Sequence, residues 1–342
     1  MKLHASRAAF AVASILISVA AAWSAPGGKG ASYTITDLGT LGGSYSEAFG
    51  MNASGQIVGD SATASGSGDA FLYSSGHMSD LNLPGTSGTA RAINTSGQIV
   101  GYYYNGAYEA FLDTNGQITD LGNLGGNYSA AYAVNASAQA CGSSYTSSND
   151  EHAFLWSAGA MSDINPFGGN YSSARGINRS TQVVGYGYLP NGAFHAFVRT
   201  GSAVTDLGTL GGDYSQADAI NDAGQVVGQA YLAGNFKAHA FLWSASGPLK
   251  DLGELGDNYS EALALDSTAS QIVGRATVPN NTGYLVYHAF LYSKGKMKDL
   301  NGMIPSNSNW VLTEATGIND TGQIVGNGTH NGAQRAFLLN PK

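Results

Sequence analysis

Charged residues are scarce in this chain. Asp, Glu, Lys and Arg make up 11% of its 342 residues, less than half of the share of about 25% that is usual in soluble proteins. The formal net charge is −8, and the basic residues form no stripe or cluster, which argues against a nucleic acid partner. Cysteine occurs only once, as Cys141, so an internal disulfide is excluded. The fold must therefore be held together by packing and by backbone hydrogen bonds.

Long apolar runs are also lacking, apart from one near the amino terminus. Lys2 and Arg7 stand at the start of the apolar stretch 8–22, and small residues that suit cleavage follow at 22–25. This order is typical of a secretory signal peptide. A membrane anchor is the alternative, but the run is shorter than the roughly 20 residues that a spanning helix needs. We predict a signal peptide over residues 1–25, a linker over 26–32, and a secreted or periplasmic product with no stable membrane span.

One unit of roughly 43 residues recurs along the rest of the chain, and a fixed period of this length indicates a repeat architecture. An Asp-Leu-Gly string or a near copy starts at Asp37, Asp80, Asp120, Asp163, Asp206, Asp251 and Asp299. A Gln-Ile-Val-Gly string or a near copy ends at Gly59, Gly101, Gly142, Gly185, Gly228, Gly274 and Gly326. A triplet with Ala and Phe ends at Phe71, Phe111, Phe154, Phe197, Phe241, Phe290 and Phe337.

Each unit is predicted to fold into four short antiparallel strands, which we call a, b, c and d. In residues 173–208 the strands are expected at Ser173–Ile177, Gln182–Tyr186, His195–Val198 and Ala203–Leu207, because β-branched and aromatic residues there alternate with turn residues. Strand a carries the same small residue in every unit, namely Ala48, Ala90, Ala131, Ala174, Ala217, Ala262 and Ala315. Such a strand suits the crowded axis of a propeller.

The two ends of the repeat region complement each other. The chain opens with a lone strand d near Tyr33 and stops after a strand c near Phe337. We therefore predict a single domain over residues 33–342, an all-β, seven-bladed β-propeller of four-stranded antiparallel blades, closed by the N-terminal strand pairing into the last blade. An open β-solenoid is the alternative, but solenoids need atypical capping repeats, and none is visible.

Three longer strings resemble the bacterial extracellular repeats known as the HAF family, after their His-Ala-Phe triplet. Full copies occur at Asp206–Gly212, Ile220–Gly228 and His239–Trp243. The resemblance covers residues 33–340 and implies export and a repeat fold, but it implies no activity. In three triplets the histidine is replaced, by Asp69, Glu109 and Arg335, so a role assigned to the histidines does not extend to those units.

Tyrosines dominate the loops that are expected on one face of the disc, where the d–a connections and the b–c loops lie. Five d–a connections carry Tyr45, Tyr128, Tyr171, Tyr214 and Tyr259, each followed by Ser. The b–c loops add Tyr103, Tyr188 and Tyr231 among others. Tyrosine with Ser and Asn is typical of surfaces that bind sugars or proteins. The alternative is that each repeated Tyr is a structural plug under its own turn.

Strand geometry also predicts pairs between the start of strand c and the end of strand d. Four His–Asp hydrogen bonds are expected, namely His152–Asp163, His195–Asp206, His239–Asp251 and His288–Asp299, and an ion pair between Arg335 and Asp37 is expected at the closure. The same positions in the first two units hold the acid pairs Asp69/Asp80 and Glu109/Asp120. For these acid pairs, sharing a proton or holding a cation are the alternatives to a structural role, which repetition favours for all the pairs.

Three charges on the innermost strands, Arg91, Arg175 and Asp218, are expected at the mouth of the central channel. The sequence contains no phosphate-binding loop and no clustered metal-ligand spacing, and we predict neither a cofactor nor a metal. The leading hypothesis is a monomeric, secreted or cell-surface binding scaffold that recognises glycan or protein through the tyrosine-bearing loop face. An extracytoplasmic hydrolase or lyase with its site at the channel mouth is the alternative, and a structural envelope role is a third.

Overall fold

The computed structural model describes residues 32–245, 247–280 and 284–342, so the predicted signal peptide lies outside the described residues. In this part of the chain the only helix is a single 3-10 turn, Leu300–Met303, and the all-β prediction is confirmed. The strands in chain order are β1 (Tyr33–Asp37), β2 (Gly42–Met51), β3 (Ile57–Thr63), β4 (Gly68–Ser74), β5 (His77–Asp80), β6 (Ser87–Ile93), β7 (Ile99–Tyr104), β8 (Tyr108–Thr114), β9 (Gln117–Asp120), β10 (Gly125–Val134), β11 (Ala140–Thr146), β12 (Glu151–Ser157), β13 (Ala160–Asp163), β14 (Ser172–Ile177), β15 (Val183–Tyr188), β16 (Phe194–Thr200), β17 (Ala203–Asp206), β18 (Gly211–Ile220), β19 (Val226–Leu232), β20 (Ala238–Trp243), β21 (Lys250–Asp251), β22 (Ser260–Leu265), β23 (Gln271–Thr277), β24 (Tyr287–Ser293), β25 (Lys296–Asp299), β26 (Trp310–Ile318), β27 (Ile324–His330) and β28 (Ala333–Pro341).

The strands repeat a run of four antiparallel neighbours, which we number as units one (β2–β5) to six (β22–β25) along the chain. Units two and three share one sheet, as do units four and five, because a single parallel residue pair joins each couple: Tyr108 with Tyr128, and Phe194 with Tyr214. The strands of unit four lie within two residues of the bounds that the sequence pattern predicts.

The seventh unit combines both ends of the described chain. Strands β26, β27 and β28 supply its first three positions, and β1 pairs antiparallel with β28 from Tyr33 opposite Pro341 to Asp37 opposite Phe337. This unit also contacts unit one, since the backbone N–H of Ala336 donates to Ser46 Oγ over 3.1 Å. Strand β1 does not pair with β2, the next strand in sequence. Its pairing with β28 gives it a hydrogen-bonded partner along its whole length.

A β-bulge interrupts the first strand of every unit at the same place, directly after the repeated alanine. The bulge leaves one extra residue without a partner, which is the variable position that holds Arg91, Arg175 and Asp218 in three of the units. Opposite the alanine lies the glycine that ends the Gln-Ile-Val-Gly string. A Cβ at any of these seven glycines would stand only 1.8–2.1 Å from a carbonyl oxygen of the first strand. The glycine is therefore required by close backbone approach.

The apolar core lies between neighbouring units. The seven phenylalanines of the third strands are completely buried, and each packs against residues of the preceding unit. Phe154, for example, shares a cluster with Val100 and Leu112 of unit two, whereas Phe71 of unit one clusters with Val325 and Ala336 of unit seven. Because each unit completes its core with side chains from its neighbours, one unit cannot be stable alone.

Polar side chains tie the same neighbours together. In units one to five, the Asn that opens the a–b turn donates to the backbone carbonyl of the corresponding residue in the next unit, as Asn52 does to Asn94 (3.1 Å), Asn94 to Asn135 (2.9 Å) and Asn135 to Asn178 (3.1 Å). The relay continues through Asn221 to Asp266. These side chains are buried, so the repeated Asn stabilises both its own turn and the contact between units.

Replacing the strand-b glycine of unit five tests the requirement for close approach. In Gly228→Ala the new methyl group would meet the carbonyl oxygen of Gln216, a backbone atom that cannot move without opening the bulge. We expect a loss of about 3 kcal/mol in the free energy of unfolding, measured by urea denaturation. The control is Gly302→Ala, where a Cβ meets nothing within 4 Å. Equal effects of the two substitutions would contradict the explanation.

Candidate functional site

A pocket of about 830 Å³ opens between units three, four and five, on the side of the d–a connections and the b–c loops. We call it the aromatic pocket, since six of its ten lining residues are Tyr or Phe. Its lining consists of Tyr145, Asn149, Asp150, Glu151, Asn170, Tyr171, Tyr186, Tyr188, Phe194 and Tyr214. The volume lies in the range of ligand-binding clefts.

The rings of the aromatic pocket are arranged around Phe194. Its ring lies 4.8 Å from the ring of Tyr186 and 5.0 Å from that of Tyr188, between centroids. It also stacks on Tyr214 of the next unit at 5.0 Å, with 8° between the ring planes. Because the rings restrain one another, the pocket presents a preformed aromatic surface whose side chains lose little entropy when a ligand binds.

Acidic groups supply the only charges in the lining of the aromatic pocket. Glu151 begins strand β12 beside Tyr171, to which it is joined by a parallel bridge. Burial raises the pKa of the Glu151 carboxyl, and this effect outweighs the hydrogen bond from Ser143 and the charge of Arg175, which act in the opposite direction. Asp150 accepts a hydrogen bond from Ser148 Oγ (2.9 Å) nearer the edge. The pocket therefore combines aromatic faces with carboxylates and amides.

The structure brings part of the predicted tyrosine set together in this place. Tyr171, Tyr188 and Tyr214 line the aromatic pocket. Tyr128 and Tyr231 flank it, because their rings contact Tyr145 and Tyr214 at 5.0 and 5.1 Å. Tyr45 and Tyr259 belong to units one and six and lie apart from it.

The prediction of an accessible loop tyrosine at Tyr103 is wrong. Its side chain is 5% exposed and packs in the core with Val58 and Phe111. Strand β7 continues through this position, so that Tyr103 pairs with Glu109 across the b–c hairpin. Burial, together with the hydrogen bond to Glu109, raises the pKa of Tyr103 to about 12. The sequence pattern of consecutive tyrosines could not distinguish inward from outward positions.

All five d–a tyrosines use their hydroxyl groups within the protein, and that of Tyr171 is hydrogen-bonded to Tyr186. Tyr45 donates to Asp60 (3.2 Å), Tyr214 to Gln216 (2.7 Å) and Tyr259 to Glu261 (3.0 Å). The hydroxyls of Tyr128 and Tyr132 lie 3.0 Å apart. These contacts support the structural-plug alternative for the hydroxyls, and they leave the ring faces as the part that a ligand can contact.

The three predicted channel charges lie in enclosed surroundings. The guanidinium of Arg91 stacks on Phe49 (4.2 Å), and that of Arg175 stacks on Tyr132 (4.6 Å) and donates to Tyr186 Oη (2.9 Å). Asp218 accepts a hydrogen bond from Gln216, and burial together with the nearby charge of Glu261 raises its pKa far above the usual range. The two guanidinium groups therefore contact rings on the adjacent first strand, and Asp218 is held by its own strand.

The predicted His–Asp positions are in contact in units three to six. The Nδ1–carboxylate distances are 2.7 Å for His152–Asp163, 2.9 Å for His195–Asp206, 2.9 Å for His239–Asp251 and 2.7 Å for His288–Asp299. Where β1 pairs with β28, Arg335 lies 4.0 Å from Asp37, but the closer partner of Asp37 is His330 at 2.8 Å. The sequence pattern did not predict His330, because it comes from the end of strand β27, outside the triplet.

The two acid pairs differ in their surroundings. Asp69 and Asp80 border a small pocket of about 190 Å³, whereas Glu109 is hydrogen-bonded to Tyr103 and not to Asp120. Within the described residues, no group of three or more His, Cys, Asp or Glu side chains is arranged to hold a metal ion. In the same part of the chain, no helix combines the length and apolar character needed to cross a membrane.

Comparisons with solved structures relate this fold to β-propellers. No family model and no curated protein matches the sequence. The propeller domain of the Trilobed protease from Pyrococcus furiosus is similar with a TM-score of 0.50, 12% identity, and coverage of 72% of this chain and 80% of that one. A puromycin-hydrolyzing peptidase from Mycobacterium tuberculosis gives a TM-score of 0.53, 12% identity and coverage of 82% and 48%. A puromycin hydrolase is similar with a TM-score of 0.53 and 12% identity, and the match covers 85% of this chain and 51% of that one.

These similarities define the class of the fold, an all-β propeller. This chain spans about half the length of the puromycin-hydrolyzing peptidase and of the puromycin hydrolase. At 12% identity the likeness extends to the backbone arrangement alone.

The first two strands of unit one carry a pair of acids, Glu47 and Asp60. Burial, with the charges of Asp60 and Glu314, raises the pKa of Glu47 to about 7 against the opposing effects of Arg91 and Gln334. Burial raises the pKa of Asp60 to about 6. Both carboxyls lie on strands of unit one, where Glu47 pairs with Asp60 across the β2–β3 ladder.

The raised pKa of Glu47 predicts a pH-dependent stability. Because the folded value exceeds the unfolded one, Glu47 contributes stability that is fully present below about pH 4.5 and lost as the pH rises through about 7. We expect the stability of the wild type, relative to Glu47→Gln, to fall by about 2 kcal/mol between pH 4.5 and pH 8. Urea unfolding at several pH values measures this difference. Asp222→Asn, at an exposed turn residue, is the control, and identical pH slopes for wild type and Glu47→Gln would refute the assignment.

Proposed function

We propose that this protein is an exported binding scaffold that recognises a glycan through its aromatic pocket. The observation that carries the proposal is the pocket itself, in which Phe194, Tyr188 and Tyr214 meet beside the carboxylate of Glu151. Aromatic faces hold the apolar side of a sugar ring, while carboxylates and amides accept hydrogen bonds from its hydroxyl groups.

A glycan fits the dimensions better than a protein partner does. The pocket volume of about 830 Å³ corresponds to a ligand of a few sugar rings, whereas a specific protein interface buries about 1,600 Å² over a broad surface. The polar residues Asn149 and Asn170 lie at the lining next to the rings. A protein ligand would have to insert a protruding loop to reach Phe194, so it is the second choice.

The proposal includes the architecture that positions the pocket. We take the seven units as the blades of one closed ring, and the pairing of β1 with β28 and the contact between Ala336 and Ser46 support this closure. The signal peptide over residues 1–25 and the HAF-type repeat strings support export to the periplasm or the cell exterior. A monomer is proposed, because a ring that satisfies both of its own ends needs no second chain to cover a strand edge.

The alternative function is a hydrolase or lyase with its site around Arg91, Arg175 and Asp218. The aromatic rings that cover both guanidinium groups speak against it, because a substrate would have to displace Phe49 and Tyr132 to reach them. Buried carboxylic acids with raised pKa values, such as Glu47 and Asp60, are the observation in its favour. The hydrogen bond between Tyr45 and Asp60 gives these acids a structural role as well.

A glycan array with the purified mature protein tests the proposed function. The affinity of the best-bound oligosaccharide is then measured by calorimetry for the wild type, Tyr188→Ala and Phe194→Ala. We expect each substitution to weaken binding at least tenfold, because Tyr188→Ala removes a ring of the lining and Phe194→Ala removes the ring that its neighbours pack around.

Phe236→Ala is the matched control, since Phe236 is 90% exposed and lies outside the lining. It should leave the affinity unchanged. If no glycan on the array binds, or if the Tyr188→Ala and Phe194→Ala proteins bind as the wild type does, the proposed function is wrong.

A further inference from the structure

We infer that the ligand of the aromatic pocket is cationic, a glycan with unacetylated amino sugars whose ammonium group pairs with Glu151. This inference rests on the proposed function and names the ligand class more narrowly. It starts from the charges of the lining, where Asp150 and Glu151 are acidic and no lysine or arginine is present. A neutral glycan would not need a lining whose charged residues are all acidic.

The aromatic rings around the carboxylate favour the same charge. The negative face of an aromatic ring attracts a cation within about 6 Å of its centroid, and this chain already uses that interaction at three other places. Arg91 stacks on Phe49, Arg175 on Tyr132, and Arg275 on Tyr287 at 5.3 Å. An ammonium group at Glu151 would lie among several tyrosines in the same way, because Tyr145 and Tyr171 line the pocket beside that carboxylate.

Glu151 is better placed than Asp150 to make the pair. It is half-buried and bridged to Tyr171 in the pocket wall, and its carboxyl is held by Ser143 from strand β11. Asp150 lies in the loop before β12 and accepts from Ser148. A fixed carboxylate in a partly desolvated position pairs more strongly with a cation than a solvated one does.

Arg175 carries a positive charge near the pocket, but aromatic side chains of the protein hold its guanidinium. It stacks on Tyr132 and donates to the hydroxyl group of Tyr186. Its guanidinium is not part of the lining. The charge offered to a ligand is therefore that of the two carboxylates, and the net negative charge of the chain adds a weak long-range attraction.

An amino sugar oligomer has both an apolar ring face for the aromatic side chains and a positive charge for Glu151. Its ring faces can lie on the ring of Tyr188, while the ammonium group on the same sugar reaches the carboxylate of Glu151. N-acetylation removes the charge and leaves the ring unchanged, so the acetylated and deacetylated forms of one oligomer make a matched pair of probes.

The test compares N-acetylchitotetraose with its fully deacetylated counterpart at pH 6 and low salt, by calorimetry. We expect the deacetylated form to bind the wild type at least tenfold more tightly. This preference should fall to about twofold or less in Glu151→Gln, and it should persist in Asp222→Asn, which removes an exposed acid outside the lining. Raising the salt concentration should weaken only the charged ligand.

Four outcomes would overturn the inference. The first is equal or tighter binding of the acetylated oligomer. The second is an unchanged preference in Glu151→Gln, which would indicate general attraction to a negative protein. The third is tight binding of a different, neutral glycan that depends on Tyr188, with neither oligomer bound; the proposed function then stands without the inference. The fourth is no glycan binding at all, which removes both. If Glu151→Gln unfolds at the assay temperature, the salt dependence of the wild type decides, and the inference is wrong if salt weakens the binding of both oligomers equally.

Discussion

The close approach of strand b to the bulge of strand a is the constraint on which the rest of the structure depends. In every unit a glycine faces the carbonyl oxygen that precedes the repeated alanine, with no room for a Cβ. This approach fixes the bulge, and the bulge places one unpaired residue per unit on the innermost strand. The repeated alanine of strand a and the glycine of strand b leave no large side chain where the two strands meet. The large side chains therefore fill the spaces between units.

The bulges of the first strands also explain how polar groups are accommodated there. The bulge residues and their neighbours form hydrogen bonds and cation–π contacts across adjacent units, as Arg175 does with Tyr186 and Tyr132. Glu261 accepts from Tyr259 and pairs with Arg275 at 2.7 Å. Such pairs persist in a buried position because each charged group has partners. The d–a tyrosines contribute their hydroxyl groups to this inner network and their rings to the outer face.

Much of the fold was predictable because the sequence pattern of one unit recurs seven times. The strand positions, the buried phenylalanines and the contact of His152 with Asp163 follow from a period in which each unit corroborates the others. The candidate site was predictable only in part, since most of its residues, apart from the repeated Tyr171 and Tyr214, do not recur. Phe194, Tyr186 and Glu151 come from different strands of two units, and Tyr103 was misplaced because an alternation of inward and outward side chains cannot be read from three tyrosines in a row.

The sequence by itself determined the all-β character, the length of the repeat, and the alanine and glycine at which strands a and b meet. These features depend on local strand and turn preferences and on the close approach of the two backbones. Only the tertiary structure decided which variable loop residues meet. The aromatic pocket arises where units three, four and five bring unlike side chains to one edge, and His330 reaches Asp37 across 293 residues of chain. Such contacts depend on the rotation from one unit to the next, which no single repeat encodes.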